Sequence, residues 1–464
     1  MPQISRKGPS GPPAGSPNKE KDVLTQESLS QKASSAAVRC IACGREHPFQ
    51  EANDTCLSCG SLLEVQHPLE TLKGVITHKW IEERMTSRQF PNRSGVWRWR
   101  ELVAPFPDEA LVTRQEGNTN LYEDRRLARF TGVDNLWLKH EGENPTGSFK
   151  DRGMTVGITH AKWIGAKYVA CASSGNTSSS LAGYAARAGL QALTFVPAGK
   201  VSLGKLAQTV AYGAKTIQIS DGSFDEALKL VRQVSKERGV YLVNSVNPFR
   251  LEGQKTIIFE ALEQLNWQMP DWIVVPGGNL GNTSAFGKAL YELRELGLIG
   301  PKLPRIAVIQ GEGSAPFYTY YKNGFNDFQA VSPETIATAI RIGNPVNLPK
   351  AVRALKWTDG IVEQVSNAEI MAAKAELDRS GIGGEPAAAA TLAGLKKLTA
   401  SGQIKPGEGV VGILTGHILK DTDNIIHYHF DEDSQAPDAN RPVVVKANLA
   451  DVLKILDEAS GTAE

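Results

Sequence analysis

The sequence predicts an α/β protein whose parallel sheets are covered by helices and preceded by a small cysteine-rich module. Short apolar runs such as "ALTFVP", "DWIVVPGG" and "GVVGILTG" fit strands that are buried on both faces. Amphipathic stretches such as "FDEALKLVRQVSKERG" lie between these runs, and the alternation is typical of parallel strands joined by crossover helices. A third observation, four cysteines in two close pairs, predicts the separate module.

Length and charge narrow the class of protein. The 464 residues are enough for two or three domains. The 51 basic and 50 acidic residues give no electrostatic reason to expect nucleic acid or an anionic membrane as a partner. No apolar run approaches the roughly 18 residues of a membrane-spanning helix, and the N-terminus lacks the apolar core of a secretory signal. We therefore expect a cytoplasmic globular protein.

The first 67 residues divide into a tail and a module. Residues 1–37 are rich in Ser, Pro, Gly, Gln and Lys with almost no aromatic residues, which predicts a disordered tail. A transit peptide is an alternative, although arginines are few and acidic residues occur by residue 27. Residues 38–67 contain "CIACG" and "CLSCG", whose knuckles aim four thiolates at one point and predict a structural zinc ribbon with ligands Cys40, Cys43, Cys56 and Cys59.

Other readings of these residues remain open. The four cysteines could instead form two disulfides, or the ribbon could have lost its metal. His47 and His67 are not needed as ligands, so we expect each at the surface or at a cap. The fifth cysteine, Cys171 in "YVACAS", fits a small apolar residue inside a buried strand.

One lysine is placed with unusual care. In "ENPTGSFKDRG" a tight turn leads into a helix, and Lys150 stands at its start. Ser148 is predicted to cap this helix, with Asp151 at its positive end.

Two strand–turn–helix segments carry polar turns. "ACASSGNTSSSLAGYAARAG" has a helix start crowded with hydroxyls, and Asn176 there can offer an amide to a ligand oxygen. "VVPGGNLGNTSAFGKAL" has a glycine-rich turn at a helix N-terminus, where backbone N–H groups can bind a phosphate. A phosphate site together with a placed lysine indicates pyridoxal 5'-phosphate, whose aldehyde needs an amine.

The motifs "GSFKDRG", "SSGNTSSSLA", "GGNLGNT", "EPAAAA" and "LTGHILKD", in this order, resemble those of the threonine synthase family. "SGVWRWREL", "EGNTNLY" and "NPFRLEGQKT" are also similar, and the resemblance spans about residues 67–464 and is closest to the branch with the plant enzymes. It implies the two α/β domains of fold-type II pyridoxal phosphate enzymes, a large one from residues 68–150 and 258–464 and a small one from residues 151–257. It also implies a homodimer.

The resemblance implies roles for particular residues. Lys150 would form the Schiff base with the cofactor and carry protons, Asn176 would bind its 3′-oxygen, and Thr415 would meet its pyridine nitrogen. The cofactor's phosphate would be bound by Gly278, Asn279, Leu280, Gly281, Asn282 and Thr283. The phosphate of the substrate would be bound by Thr177, Lys205, Ser245 and Arg250, with Lys200 as a further candidate. One departure is Ala388 in "EPAAAA", where relatives often carry serine.

The implied reaction converts O-phospho-L-homoserine and water to L-threonine and phosphate. Three alternatives remain. A cysteate synthase-like enzyme on the same fold would use O-phosphoserine, and a threonine or serine dehydratase would need no second anion site. From a different class, the chain could be a zinc-ribbon binding module that carries an inactive enzyme body. Retention of Lys150, the glycine-rich turn and Thr415 argues against the last of these.

Overall fold

The structure is a computed structural model that describes residue 33 and residues 35–198, 203–220, 224–431, 436 and 439–460. Most of the predicted tail, residues 1–37, and the candidate Lys200 lie outside the described residues. None of the described helices is long and apolar enough to span a membrane.

Thirteen strands in the described part of the chain form three sheets. In chain order they are β1 (Ala37–Cys40), β2 (Glu46–His47), β3 (Leu63–Gln66), β4 (Leu121–Tyr122), β5 (Asn135–His140), β6 (Tyr168–Ala172), β7 (Gln191–Pro197), β8 (Lys215–Ile219), β9 (Tyr241–Leu242), β10 (Trp272–Pro276), β11 (Arg305–Gly311), β12 (Ile361–Val365) and β13 (Gly409–Leu414). The N-terminal sheet has the order β2-β1-β3 and is antiparallel.

The other two sheets carry the main body. One has six strands in the order β12-β11-β10-β13-β5-β4, parallel except for β4, and the other is a parallel sheet in the order β8-β7-β6-β9. All strands of the four-stranded sheet fall within residues 151–257, and the six-stranded sheet is built from strands on both sides of that range. The predicted α/β class with parallel sheets is therefore confirmed.

Helices connect and cover the strands. In chain order the α-helices are α1 (Leu69–Leu72), α2 (His78–Thr86), α3 (Arg100–Val103), α4 (Arg125–Thr131), α5 (Lys150–Trp163), α6 (Asn176–Ala188), α7 (Leu203–Ala211), α8 (Phe224–Arg238), α9 (Pro248–Gln264), α10 (Gly281–Glu295), α11 (Pro316–Lys322), α12 (Leu348–Thr358), α13 (Asn367–Arg379), α14 (Pro386–Ala400), α15 (Thr422–Phe430) and α16 (Leu449–Ser460). Short 3₁₀ helices occur at Trp97–Trp99, Asp108–Ala110, Glu141–Glu143, Glu312–Ser314, Thr338–Ile340 and Ile418–Lys420.

Glycines let α5 and α9 pack closely against each other. A Cβ on Gly253 of α9 would lie 1.8 Å from the carbonyl oxygen of Arg152, a distance that no real contact allows. On α5, a Cβ on Gly157 would lie 2.9 Å from Val243 Cγ1 and 3.3 Å from Arg250 Cγ. The two helices begin at Lys150 and Pro248. Because they pack so closely, Lys150 and Arg250 are held in the same region.

The ribbon is fastened to the main body through β3. Lys350 Nζ of α12 donates to the carbonyl oxygen of Leu63 at 2.6 Å, and the ammonium of Lys288 of α10 donates to the carbonyl oxygen of Val65. His67 Nε2 lies 2.9 Å from a carboxylate oxygen of Glu252 on α9. The expectation that His67 lies at the surface or a cap is wrong, because its side chain is fully buried in this contact.

Candidate active site

Lys150 stands where a loop of the chain pairs with the end of β13. The backbone N–H of Phe149 donates to the carbonyl oxygen of Thr415 at 3.0 Å, and the N–H of His417 donates to that of Gly147 at 2.9 Å. Loops that follow the adjacent parallel strands β5 and β13 therefore meet at one edge of the sheet. This pairing places Lys150 beside Thr415, two residues that the sequence predicted to share a site.

The predicted cap of α5 is wrong. The cap position is occupied by Phe149 without a side-chain hydrogen bond, and the buried Ser148 hydroxyl has no partner among the described residues. Asp151 instead ties the turn together, since its carboxylate accepts from the backbone N–H of Thr146 and from the hydroxyl of Ser180, both at 2.6 Å. The turn is thus held by its neighbours rather than by a serine cap.

The surroundings of Lys150 favour the neutral form of its amine. Burial and, to a smaller degree, the nearby Arg250 guanidinium lower the pKa of Lys150 to about 7, against the opposing effect of Glu385. A lysine must lose its proton before it can attack a carbonyl, so this lowering favours the chemistry for which the sequence nominated it.

Asn176 and Thr415 are brought together by a residue that the sequence reasoning did not assign. Glu385 accepts hydrogen bonds from Asn176 Nδ2 at 2.8 Å and from the Thr415 hydroxyl at 3.3 Å. The carboxyl is buried, and this burial raises its pKa. Its position directly before Pro386, at the start of α14 in the motif "EPAAAA", was a signal that could have identified it. Ala388, the residue at which this sequence departs from the family motif, is buried one turn further along α14.

The glycine-rich turn after β10 has the geometry of an anion site. A Cβ on Gly278 would lie 3.1 Å from Ile340 Cα, and Leu280 is left-handed with φ of 60° immediately before α10 begins. In the first turn of α10, the side-chain oxygen of Asn282 and the hydroxyl of Thr283 are buried and have no hydrogen-bond partner within the described chain. Backbone N–H groups and an unpartnered hydroxyl at a helix N-terminus fit the phosphate of pyridoxal phosphate.

Arg250 is a buried cation with unused donors. It lies in the first turn of α9 and is 1% exposed. Its Nη1 donates to the carbonyl oxygen of Val243 at 2.8 Å, whereas Nε and Nη2 have no hydrogen-bond partner in the described parts of the chain. Burial lowers the pKa of Arg250 to about 10. Unused donors on a buried cation fit an anionic ligand.

The other candidates for binding substrate phosphate differ in how well they are placed. Ser245 is half-buried in the turn before α9, and Thr177 is half-buried in the first turn of α6. Lys205 belongs to α7, but its side chain, like all of Lys200, is outside the described residues.

Lys420 is a further charged residue at the site that the sequence reasoning missed. Its Nζ donates to the carbonyl oxygen of Thr146 at 3.1 Å, to Ser179 Oγ at 3.0 Å and to Gln208 Oε1 at 2.7 Å. Thr146 lies in the loop before Lys150, whereas Ser179 lies on α6 and Gln208 on α7, two helices that connect strands of the four-stranded sheet. Its place in "LTGHILKD", five residues after Thr415, was the available signal.

The four ribbon cysteines converge on one point. Cys40 and Cys59 sulfurs are 3.5 Å apart, Cys43 and Cys56 sulfurs are 3.7 Å apart, and all four lie within 4.8 Å of one another. Four sulfurs bound to one Zn²⁺ at about 2.3 Å would be about 3.8 Å apart, so the arrangement fits zinc. All four are free thiols, so the alternative of two disulfides is not what the structure contains. His47 is buried, whereas we expected it at the surface or at a cap.

Comparisons with known proteins agree with this geometry. The family model described as pyridoxal-phosphate dependent enzyme matches residues 112–416. The chain is 45% identical to threonine synthase of Methanocaldococcus jannaschii over 90% of this chain and 99% of that protein. It is 40% identical to a chloroplastic threonine synthase 2 of Arabidopsis thaliana over 86% of this chain and 80% of that protein.

Among solved structures, threonine synthase from Escherichia coli superposes with a TM-score of 0.65 over 91% of this chain and 99% of that chain. Its sequence is 18% identical, so this likeness concerns the fold. The long alignments at 40–45% identity concern the family. The chain belongs to the threonine synthase family of pyridoxal-phosphate dependent enzymes.

Proposed function

We propose that the chain converts O-phospho-L-homoserine and water to L-threonine and phosphate. The single observation that carries this choice is Arg250, whose Nε and Nη2 are buried near Lys150 and have no partner among the residues that the structure describes. A phosphorylated substrate needs an anion site apart from that of the cofactor, and a dehydratase would leave these donors without a purpose.

The residues present fit pyridoxal phosphate, and each can be assigned to one part of the cofactor. Lys150 would hold the aldehyde carbon, Asn176 would bind the ring oxygen, and Thr415 would meet the ring nitrogen. The turn Gly278, Asn279, Leu280, Gly281, Asn282 and Thr283 would bind the phosphate. When bound, this cofactor delocalises the negative charge that forms when a proton leaves the substrate's α-carbon.

The chain's own groups would then direct the reaction. The neutral Nζ of Lys150 accepts the proton from the α-carbon. A proton also leaves the β-carbon before the phosphate departs, and protons are returned at the γ-carbon and, after water has added, at the α-carbon, with Lys150 Nζ as their carrier. Arg250, with Ser245, Thr177 and Lys205, binds the substrate's phosphate equally before and during its departure from the γ-carbon. Water then adds at the β-carbon. Thr415 would offer the ring nitrogen a hydroxyl rather than a carboxylate, which would leave that nitrogen unprotonated and would favour passing the charge toward the β- and γ-carbons.

Arg250→Ala tests the substrate. It should leave the visible absorption of the bound cofactor intact and lower kcat/KM for O-phospho-L-homoserine by about 3 kcal/mol, or about 150-fold, because charge-assisted hydrogen bonds to phosphate are lost. Arg294→Ala is the matched control, since Arg294 lies at the far end of α10 and pairs with the neighbouring Glu295.

The products decide between the alternatives. Threonine and phosphate should form from O-phospho-L-homoserine. An unchanged kcat/KM in Arg250→Ala would refute the assignment, and efficient use of free threonine or serine would favour a dehydratase. Turnover of O-phosphoserine with a sulfur nucleophile would favour a cysteate synthase-like enzyme.

A structural zinc ion is the second part of the proposal. Cys40, Cys43, Cys56 and Cys59 use all four coordination positions, so the ion would stabilise the ribbon and could not bind substrate. Metal analysis of the purified protein should give about one zinc per chain, and replacing Cys56 with serine should remove most of it. Zinc-free protein of full stability would contradict this proposal.

The third part of the proposal is a homodimer with one site per subunit, which we infer from the family resemblance. We also propose a cytoplasmic location, which we infer from the sequence. Static light scattering at micromolar concentration should give a mass near twice the 50.1 kDa of one chain. A mass near that of one chain would contradict the proposed dimer.

A further inference from the structure

A chain of hydrogen bonds joins the first turn of α9 to the ribbon. The backbone N–H of Arg250 donates to Asn247 Oδ1 at 3.3 Å, and Asn247 Nδ2 donates to the Tyr241 hydroxyl oxygen at 2.9 Å. The Tyr241 oxygen is 2.6 Å from His160 Nδ1, and His160 Nε2 is 2.6 Å from the carbonyl oxygen of Phe49. We name this set, from Arg250 to Phe49, the relay.

The donor and the acceptor of every hydrogen bond in the relay are fixed. A carbonyl oxygen only accepts, so the proton of the neutral His160 ring sits on Nε2 and Nδ1 accepts from Tyr241. The Tyr241 oxygen can then accept from Asn247. The orientation of the Asn247 amide is fixed as well, because its oxygen accepts from the backbone N–H groups of Phe249 and Arg250. Burial lowers the pKa of His160 to about 4, which keeps the ring neutral near pH 7.

Packing fixes the relay in place. His160, Tyr241 and Asn247 are buried, and the His160 ring stacks on Phe249 with 3.9 Å between centroids. Phe49 of the ribbon meets the same Phe249 ring edge-on at 5.4 Å. Satisfied networks of this kind hold one arrangement of the groups they connect.

Arg250 depends on this support because its own anchors are few. The one hydrogen bond of its guanidinium among described residues goes to Val243, which lies two residues after Tyr241. Its stem packs along Gly157 of α5, the helix that carries His160. The turn between β9 and α9 therefore sets where the unused donors point.

We propose that His160, Tyr241 and Asn247 are positioning residues that hold Arg250 ready for the substrate's phosphate, with the ribbon supplying the last acceptor through Phe49. The proposal rests on the proposed function, in which Arg250 binds that phosphate. It gives the ribbon a role in substrate affinity through this chain of contacts. The glycine-rich turn for the cofactor lies outside the relay.

Tyr241→Phe in the holoenzyme is the sharpest test, since it removes only the hydroxyl. The KM for O-phospho-L-homoserine and the inhibition constant of inorganic phosphate should both rise about fivefold, because one buried hydrogen bond that positions Arg250 is lost. The visible absorption of the bound cofactor and kcat should stay close to those of the parent, as expected for a loss of binding that is equal in ground and transition states.

Thr159→Val is the matched control. Thr159 is buried beside His160 on α5, and its hydroxyl accepts from the backbone N–H of Val112 at 2.9 Å, outside the relay. This variant should lose thermal stability to a similar degree as Tyr241→Phe and keep the parent's inhibition by phosphate. A loss of phosphate binding in both variants would mean that general loosening is responsible, which would overturn the proposal.

Two substitutions of His160 provide a second, independent measurement. His160→Gln keeps an N–H that can reach the Phe49 carbonyl and should retain most of the phosphate affinity, whereas His160→Phe keeps the ring stack and should lose it. Lower stability with unchanged phosphate inhibition in Tyr241→Phe and His160→Phe would overturn the relay. If Arg250→Ala itself left phosphate inhibition unchanged, the proposed function would fail instead.

Discussion

Two buried arginines at the adjoining starts of α5 and α9 have opposite surroundings. Arg152 lies 2.6 Å from a carboxylate oxygen of Glu141 and 2.8 Å from one of Glu260, and these two carboxylates raise its pKa against the effect of burial. Arg250 forms no ion pair within the described residues, and burial lowers its pKa to about 10. A buried charge is costly unless it is paired. We infer that Arg152 serves the fold and Arg250 serves a ligand.

Two lysines show that the partner, rather than the pKa, separates these roles. Lys139 Nζ donates to the Glu260 carboxylate and to the carbonyl oxygen of Thr119, both at 2.6 Å. Among the described residues Lys150 has no such set of partners, and its Nζ lies over the ring of Phe149 at 4.2 Å. Burial lowers the pKa of both lysines. A lowered pKa alone would therefore indicate both lysines as candidates for binding the cofactor. Of the two, only Lys150 lies at the candidate site.

The largest expected effect belongs to the unpaired lysine. Lys150→Ala should abolish the visible absorption of the bound cofactor and all measurable threonine formation, because no amine remains at the aldehyde. The free energy of unfolding of the cofactor-free protein should not fall, since a buried amine without a counterion is removed. Absorption spectroscopy, product analysis and urea unfolding check these outcomes, and undiminished turnover would contradict the role of Lys150.

The paired arginine should show the reverse pattern. Arg152→Met leaves Glu141 and Glu260 with fewer partners in the interior, so the free energy of unfolding should fall by about 3–5 kcal/mol. Urea unfolding of the cofactor-free protein measures this, with Arg250→Met as the matched variant that should cost little. If the two variants lost equal stability, the distinction between the arginines would be lost.

The sequence predicted much of the fold and only part of this contrast. Apolar runs marked β7, β10 and β13 because burial on both faces is a local property of each strand. "KDRG" and "NPFRLEG" present Arg152 and Arg250 in similar helix starts, and nothing local tells which arginine has a carboxylate. The partner Glu260 is 108 residues from Arg152, and Glu385 is 209 residues from Asn176, so tertiary packing decides both contacts.

The pH dependence of cofactor capture sharpens the assignment of Lys150. With a pKa of about 7, the neutral fraction of Lys150 rises about tenfold between about pH 6 and pH 8 and then levels off. The rate at which cofactor-free protein recovers its visible absorption should follow this curve. A lysine with the ordinary pKa of 10.5 would instead continue to gain rate well above pH 8.

The lowered pKa of Lys150 also makes the stability of the folded protein depend on pH, in a direction that can be stated. Between about pH 7 and pH 10.5 the unfolded chain holds more protons on this group than the folded chain does. The free energy of unfolding of the cofactor-free protein therefore gains a contribution that rises with pH across this window. Lys150→Ala should lack that contribution, which urea unfolding at several pH values can measure.

The smallest expected effect tests Arg250 without catalysis. Inorganic phosphate that binds only the folded holoenzyme, at about ten times its dissociation constant, raises the free energy of unfolding by about 1.4 kcal/mol. The parent should show this gain in thermal unfolding, and Arg250→Met should not, because the two unused donors are gone. Holoenzyme is required, since the turn before α10 could otherwise bind the added phosphate. Lys139→Met removes a buried cation that already has its carboxylate, so this variant, although less stable, should keep the full gain. An equal gain in Arg250→Met would mean that phosphate binds elsewhere. It would also contradict the inference that Arg250 serves a ligand.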